Sequence, residues 1–358
     1  MAYISHGYAR QLGCTPCSPS FVQHRQQDHF NFENTLNMLS LSKLILGAAL
    51  GIISMAPGVI AQNYPGPGVV SGSTFAHDPT VVKTPSGGYI MAITAPGIAL
   101  KTSTDRTNWR DAGLVWTNAN APWTQPYTGK PNENLWAPDL SYRNGKYYLY
   151  YSASTFGSRK SAIFLATSTS GAAGSWTNHG VVIETNANSA YNAIDPNLIV
   201  DAGGKWWLSF GSFGNGIKLI SINPSTGMRT GSNMVDLASR GSGGAIEAPV
   251  IVRKGNYYYL WVSFDACCKG AASTYNIRVG RSTNIQGPYV DRDGKQMMSG
   301  GGTLVMASHG AIRGPGHNTV FTDNDADVLV YHYYKQSNGE AQLGINLLRY
   351  DNGWPVAY

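Results

Sequence analysis

Residues 191–210 read YNAIDPNLIVDAGGKWWLSF. A short loop carries one carboxylate, Asp195, next to Pro196. An apolar run, LIV, follows, then a D-A-G-G turn, then a second apolar run, KWWLSF. This reads as loop, strand, turn, strand. The pattern recurs: HDPTVVKTPSGGYIMAIT starts at His77, APDLSYRNGKYYLYYSA at Ala137, EAPVIVRKGNYYYLWVSF at Glu247 and the looser GHNTVFTDNDADVLVYHYY at Gly316. Each of the five copies opens on a charged or imidazole side chain: Asp78, Asp139, Asp195, Glu247 and His317. The steps between them are about 61, 56, 52 and 70 residues, the spacing of a repeat architecture.

One such sheet cannot bury both its faces alone, whereas five packed radially around a channel can. The expected fold is therefore all-β, a single five-bladed β-propeller over residues 64–358. The opening strand of each copy lies innermost, so the five openers converge at one end of the channel. Composition agrees, with 42 Gly, 21 Tyr and 9 Trp and no long Leu/Ala/Glu/Lys stretches. Charged residues make up only 13%, and the net charge of +6 is scattered, which argues against a nucleic-acid partner. A loop this long in a compact fold is usually functional, and residues 118–138, rich in Asn, Pro and Trp, form one.

The first 62 residues do not share the pattern. Residues 1–37 are polar and aperiodic, and read as a disordered or mis-called extension. From Met38 the chain reads MLSLSKLILGAALGIISMAPGVIAQ: Lys43, an apolar run over 44–56, then the small residues Val59 and Ala61. Residues 38–61 thus read as a secretory signal peptide, which predicts a secreted, extracellular protein with no membrane attachment after cleavage. The alternative is a signal anchor with a cytoplasmic tail, for which the apolar run is short. Cys14 and Cys17 lie in the extension and carry little weight. Cys267 and Cys268 are adjacent; in a secreted protein they can form a vicinal disulfide, the alternative being two free thiols. Neither pair supports a zinc site.

Asp78, Asp195 and Glu247 are expected to gather near the axis, where crowding and burial raise carboxyl pKa values. One carboxyl can then stay protonated as an acid while another stays ionised as a base, the pair that glycosidic hydrolysis requires. A calcium cage draws its carboxylates from one compact loop, and no D-x-D-x-D-G run occurs. The alternative for each opener is a turn carboxylate capping backbone N–H groups; Asp139 suits that role best.

Five motifs stand in order: HDP (77–79), LWAPD (135–139), IDPN (194–197), IEAP (246–249) and GPGHN (314–318). On these the chain from residue 64 onward resembles glycoside hydrolase family 43, and within it the fungal arabinan endo-1,5-α-L-arabinosidases. The resemblance implies a five-bladed propeller, inversion at the cleaved centre, and a pectic arabinan substrate. It implies Asp78 as general base, Glu247 as general acid, and Asp195 as the third carboxylate that raises the acid's pKa and orients it. His317 matches a histidine that helps hold a calcium (or sodium) ion near the axis, largely through water; no organic cofactor is implied. An inverting pair stands roughly 6.5–9.5 Å apart, with room for water. For sugar stacking Trp136 is the first choice, ahead of Trp123, Phe213 and Tyr191, with core packing as the alternative. Asn192 is placed to touch a hydroxyl, Asn197 to bond the acid, and His77 to orient Asp78 or meet substrate. Arg313 either binds substrate or pairs with Glu247. A monomer is expected. The rival readings are an exo-acting arabinofuranosidase or xylosidase on the same fold, with a closed pocket in place of an open groove, and a non-catalytic carbohydrate-binding propeller.

Overall fold

A computed structural model describes residues 64–117, 120–241 and 244–358. The extension, the signal segment, Cys14 and Cys17 lie outside the described residues. Five sheets follow one another along the chain, each built from four consecutive antiparallel strands. Their innermost strands are Thr80–Lys83, Leu135–Arg143, Asn197–Val200, Ile246–Lys254 and Ile312–Thr322. Each innermost strand neighbours the next, and the fifth neighbours the first, so the ring closes. A cavity of about 330 Å³ runs down the middle, lined by all five. The expected five-bladed propeller is the fold.

The sequence of the inner hairpins follows from this packing. The second strand of blade two, Lys146–Ala153, is KYYLYYSA, buried everywhere except at Lys146. Tyr147, Leu149 and Tyr151 enter a core shared with blade one, while Tyr148 and Tyr150 enter a core shared with blade three. Five such cores separate the five blades. A strand apolar on both faces loses the polar alternation of a half-exposed strand, and each large side chain so buried contributes about 1.5–3 kcal/mol.

Blades five and one are sealed by the segment that precedes blade one. Gly68 N–H donates to Ile345 O at 2.7 Å and Leu343 N–H to Thr74 O at 2.9 Å, and Ser71–Gly72 pairs in parallel with Asn108 and Trp109 of the outer strand of blade one. At the end of the channel away from the openers, Asp323 of blade five receives Lys83, Tyr89 and Arg106 of blade one.

Candidate active site

Each inner strand is entered through one residue in the left-handed region: Asp78 (φ 50°), Ala137 (47°), Asp195 (59°), Ala248 (56°) and His317 (45°). The conformation is costly for a side-chain-bearing residue, on the order of 1–3 kcal/mol, so the surroundings must hold it. They do so through five backbone N–H groups, each caught by a side chain of the preceding blade. Ala137 N–H donates to Thr94 Oγ1 (2.8 Å), Asp195 N–H to Ser152 Oγ (3.0 Å), and His317 N–H to Ser263 Oγ (2.9 Å). Asp78 N–H donates to His332 Nδ1 (3.1 Å) and Ala248 N–H to Asp195 Oδ2 (3.1 Å). Blade three is the exception because the position matching Thr94, Ser152 and Ser263 is Gly211, at φ 132°, where a Cβ would meet Gly216 O at 2.6 Å. Asp195 fills the gap with its own carboxylate.

This register corrects the alignment of the openers. Asp78, Asp195 and His317 share the left-handed position, but blades two and four place Ala137 and Ala248 there. Glu247 precedes that position by one residue and pairs with Ser263; Asp139 follows it by two. A bulge at this position recurs in blades two, four and five, so Glu247 and Asp139 differ from His317 in where they stand relative to it. Asp139 therefore points into the blade junction, accepting from Asn197 Nδ2 (2.9 Å) and Leu198 N–H (2.8 Å). Burial, opposed by those bonds, pushes its carboxyl up to about 6. Asn197 passes the link on, accepting Ile251 N–H at 2.8 Å, and so joins blades and leaves Glu247 to others.

Asp78, Asp195, Glu247 and His317 meet at the mouth of the channel, close enough to perturb one another. Asp78 accepts from Thr94 Oγ1 at 2.6 Å and faces His317 Nδ1 at 3.1 Å. Burial opposes ionisation of Asp78, yet His317, by charge and hydrogen bond, with His77 beside it, holds that carboxyl well below its ordinary value. Burial likewise opposes charging of His317, but the three carboxyl groups raise it to about 9, an imidazolium at neutral pH. His332 is fully buried, and burial together with His77 keeps it neutral. Its Nδ1 accepts the Asp78 N–H, which puts the proton on Nε2. Asp195 is pushed up to about 8 by burial, partly offset by His317, with Glu247 and Asp78 adding to the rise. Burial raises Glu247 as well, against hydrogen bonding from Ser212 and Tyr275. Ser212 Oγ donates to Glu247 Oε2 at 2.7 Å. Tyr275 lies flat on Gly316, where any Cβ would come within 2.0 Å of its ring. The mouth thus holds Asp78, biased toward its ionised form, beside Asp195 and Glu247, both biased toward the protonated form, which is the asymmetry an acceptor and a donor of protons require.

The family model for glycosyl hydrolases family 43 matches residues 69–355. The chain belongs to glycosyl hydrolases family 43. Within the family it is 42% identical over 321 residues to the extracellular endo-α-(1→5)-L-arabinanase 1 of Bacillus subtilis, covering 88% of this chain and 96% of that protein. A family 43 endo-arabinanase structure from Bacillus licheniformis superposes with TM-score 0.73 at 44% identity, over 80% of this chain and 99% of that one. An exo-1,5-α-L-arabinanase from a bovine ruminal metagenomic library superposes with TM-score 0.75 at 36% identity, over 81% and 99%.

On this family 43 scaffold the remaining candidates fall at different depths. Trp136 is half-buried, occupies in blade two the place that Glu247 holds in blade four, and belongs to none of the five apolar cores. Phe213 is 52% exposed and follows Ser212, the partner of Glu247. Trp123 is in the core, donating from Nε1 to Tyr151 Oη at 2.9 Å, and Tyr191 packs on Phe210. Asn192 is buried, its side-chain oxygen accepting from Ser161 Oγ at 2.7 Å. His77 places Nδ1 3.4 Å from Asp78 Oδ2 and Nε2 3.0 Å from Tyr334 Oη. Arg313 does not pair with Glu247: its guanidinium is bound to the carbonyls of Gly310 and Ile312, three and one residues away, because its strand starts in a tight turn. Cys267 and Cys268 form the vicinal disulfide. Sequence reasoning missed Thr94, Ser212, Tyr275 and His332. Thr94 and His332 share one position of the repeat, each lying opposite the residue that precedes a left-handed opener, and aligning the second strands as well as the first would have exposed them. It also missed Phe156, 87% exposed on the blade-two loop that adjoins Asn134 at the mouth end.

Proposed function

We propose that this chain is a secreted arabinan hydrolase that cleaves internal α-1,5 bonds between L-arabinofuranose units, inverting the anomeric centre. The observation that carries the reading is the gathering of Asp78, braced by Thr94 and His317, with Asp195 and the Ser212-bound Glu247 at one mouth of a family 43 propeller. Asp78, ionised and braced by Thr94 and His317, takes a proton from water as that water attacks the anomeric carbon. Glu247, protonated, gives its proton to the departing O5 of the next sugar as the glycosidic bond breaks. Burial and the charge of Asp78 favour the protonated acid at Glu247, and Asp195 fixes Ala248 beside it. Trp136 and the exposed rings of Phe213 and Phe156 supply flat apolar faces for furanose units outside the cleaved bond.

Secretion is supported by the extracellular naming of the Bacillus subtilis relative and by the signal-like segment 38–61. Among the described residues no helix is long and apolar enough to cross a membrane. All five blades come from one chain, which suits a monomer. No organic cofactor enters the proposed steps. For the metal, His317 bonds Asp78 through Nδ1, so an ion could take only Nε2, and only once the imidazolium has lost its second proton. Two groups of described side chains bring three donor atoms together, His77–Cys267–Cys268 and His77–Asp78–His332, and neither contains His317. A calcium or sodium ion there would be held by deprotonated His317 alone among these groups, with water completing its shell. Such an ion adds positive field near Asp78 when bound.

The test is a product time course on linear debranched α-1,5-arabinan, with Glu247→Gln alongside. A rapid fall in viscosity with mixed short oligosaccharides, lost in the variant, is the expected result. The likeness to an exo-acting structure favours a second reading, in which arabinose or one short product appears from the start with little viscosity change. Binding without any release would leave a carbohydrate-binding propeller.

A further inference from the structure

Loop 265–275, between the second and third strands of blade four, reaches both halves of the acid–base set. Its last residue, Tyr275, faces Glu247. Its third and fourth residues are the bonded pair Cys267 and Cys268. Each sulfur lies 3.8 Å from His77 Nε2. Tyr334 Oη stands at the junction, 3.0 Å from that nitrogen and 3.4 Å from Cys267 Sγ, and accepts the Cys268 N–H at 3.1 Å. On its other side His77 is confined by the His332 ring, 4.4 Å between centroids, and by Asp78 Oδ2 at 3.4 Å. The His77 ring is therefore boxed by sulfur, phenol, imidazole and carboxylate. The sulfur wall is the part that is covalently closed: bonded sulfurs of adjacent residues form a small rigid ring, whereas two thiols would each choose their own rotamer. Sulfur is a weak hydrogen-bonding atom, so it confines the imidazole without competing for its proton.

We propose that the Cys267–Cys268 disulfide is a positioning element of the active site: it holds His77, and through His77 the Asp78 carboxylate, in line with the attacking water. The proposal rests on the reading of Asp78 as the base. A misplacement of about 1 Å at a reacting group can cost on the order of a hundredfold in rate, so a loosened His77 should lower kcat while leaving sugar binding at the outer subsites, and hence KM, nearly unchanged.

The test is a double-mutant cycle on the full chain with linear arabinan, made of Cys267→Ser/Cys268→Ser, His77→Ala and their combination. The disulfide variant is expected to lose roughly tenfold in kcat with KM within about twofold. Adding it to His77→Ala should cost no more than His77→Ala alone, because both act through one ring. In parallel the native protein is treated with a water-soluble phosphine, which with one water converts the S–S bond to two thiols and itself to the phosphine oxide. Counted thiols should rise by two as kcat falls, and reoxidation should restore it; this arm decides the matter if the serine variant does not fold. Losses that multiply in the combined variant, a rise in KM at constant kcat (a sulfur ledge touching sugar), or a changed melting temperature with unchanged kinetics would each overturn the proposal. Asp78→Asn separates the two layers. If it stays active, the reading of Asp78 falls; if it is inactive while the cycle is additive, only the positioning role falls.

Discussion

Asp78 and Asp323 sit at opposite ends of the junction between blades five and one, and both are nearly buried, with side-chain exposures of 9% and 2%. Both carboxyls lie below the ordinary range although burial opposes it. Their partners differ. Asp323 is covered by Lys83, Arg106, Tyr89 and the N–H of Asn324, two fixed cations among four donors. Asp78 is held by Thr94 and by imidazoles, with Asp195 and Glu247, both pushed toward protonation, close by. An arginine cannot give up its charge near neutral pH, and a fully covered carboxylate has no lone pair left for a water proton. A low carboxyl pKa therefore does not identify a base; the nature of the groups that lower it does.

The largest test of this contrast is chemical. Asp78→Asn or Glu247→Gln should each lower kcat at least 10²–10⁴-fold in protein that still folds, whereas Asp323→Asn should leave kcat of the folded protein as it was. An activity loss in Asp323→Asn comparable to that in Asp78→Asn would break the contrast. Next in size is stability. Asp323→Asn leaves Lys83 and Arg106 facing a neutral group and should lower Tm by roughly 5 °C. Because the folded-state pKa of Asp323 is depressed, its contribution is present above the unfolded carboxylate value and is lost as pH falls through the folded one. The Tm gap between wild type and variant should therefore close in acid, which thermal melts across pH will show. Smaller again, Phe213→Ala should raise KM several-fold with little change in kcat, since the ring touches sugar without touching the reacting atoms. The smallest effects are displacements of the pH profile of kcat/KM, with opposite consequences for its width. His317→Gln removes the strongest influence lowering Asp78, so the acid limb should move to higher pH. Ser212→Ala removes a hydrogen bond that favours ionised Glu247, so the alkaline limb should also move to higher pH. The first change narrows the active window and the second widens it.

The blades were legible because the repeat is written in local terms: a charged opener, an apolar run, a turn, a second apolar run. The cluster was legible in part for the same reason. Asp78, Asp195 and His317 recur at one position, and the closed ring brings that position together. The misreadings share a cause. Glu247 and Asp139 were placed in the same register as Asp78, but they stand one residue before and two residues after the left-handed position, which only the strand pairing reveals. For Arg313, left between substrate and Glu247, the pairing with Glu247 does not form because its own turn supplies two carbonyls.

The sequence by itself determined the number of blades, the apolar faces they bury against one another, and which titratable residues lie at strand entrances, because each of these depends on neighbours along the chain. Only the tertiary structure decided which carboxyl ionises. Ionisation depends on groups up to 254 positions away in sequence, such as His332 beside Asp78, and on the exclusion of water from a mouth that exists only when the fifth blade meets the first. The same holds for Asp195, which took up the backbone N–H of Ala248 because Gly211 has no side chain to offer. Charge and hydrogen bonding are settled by distance in space, and distance in space is what folding supplies.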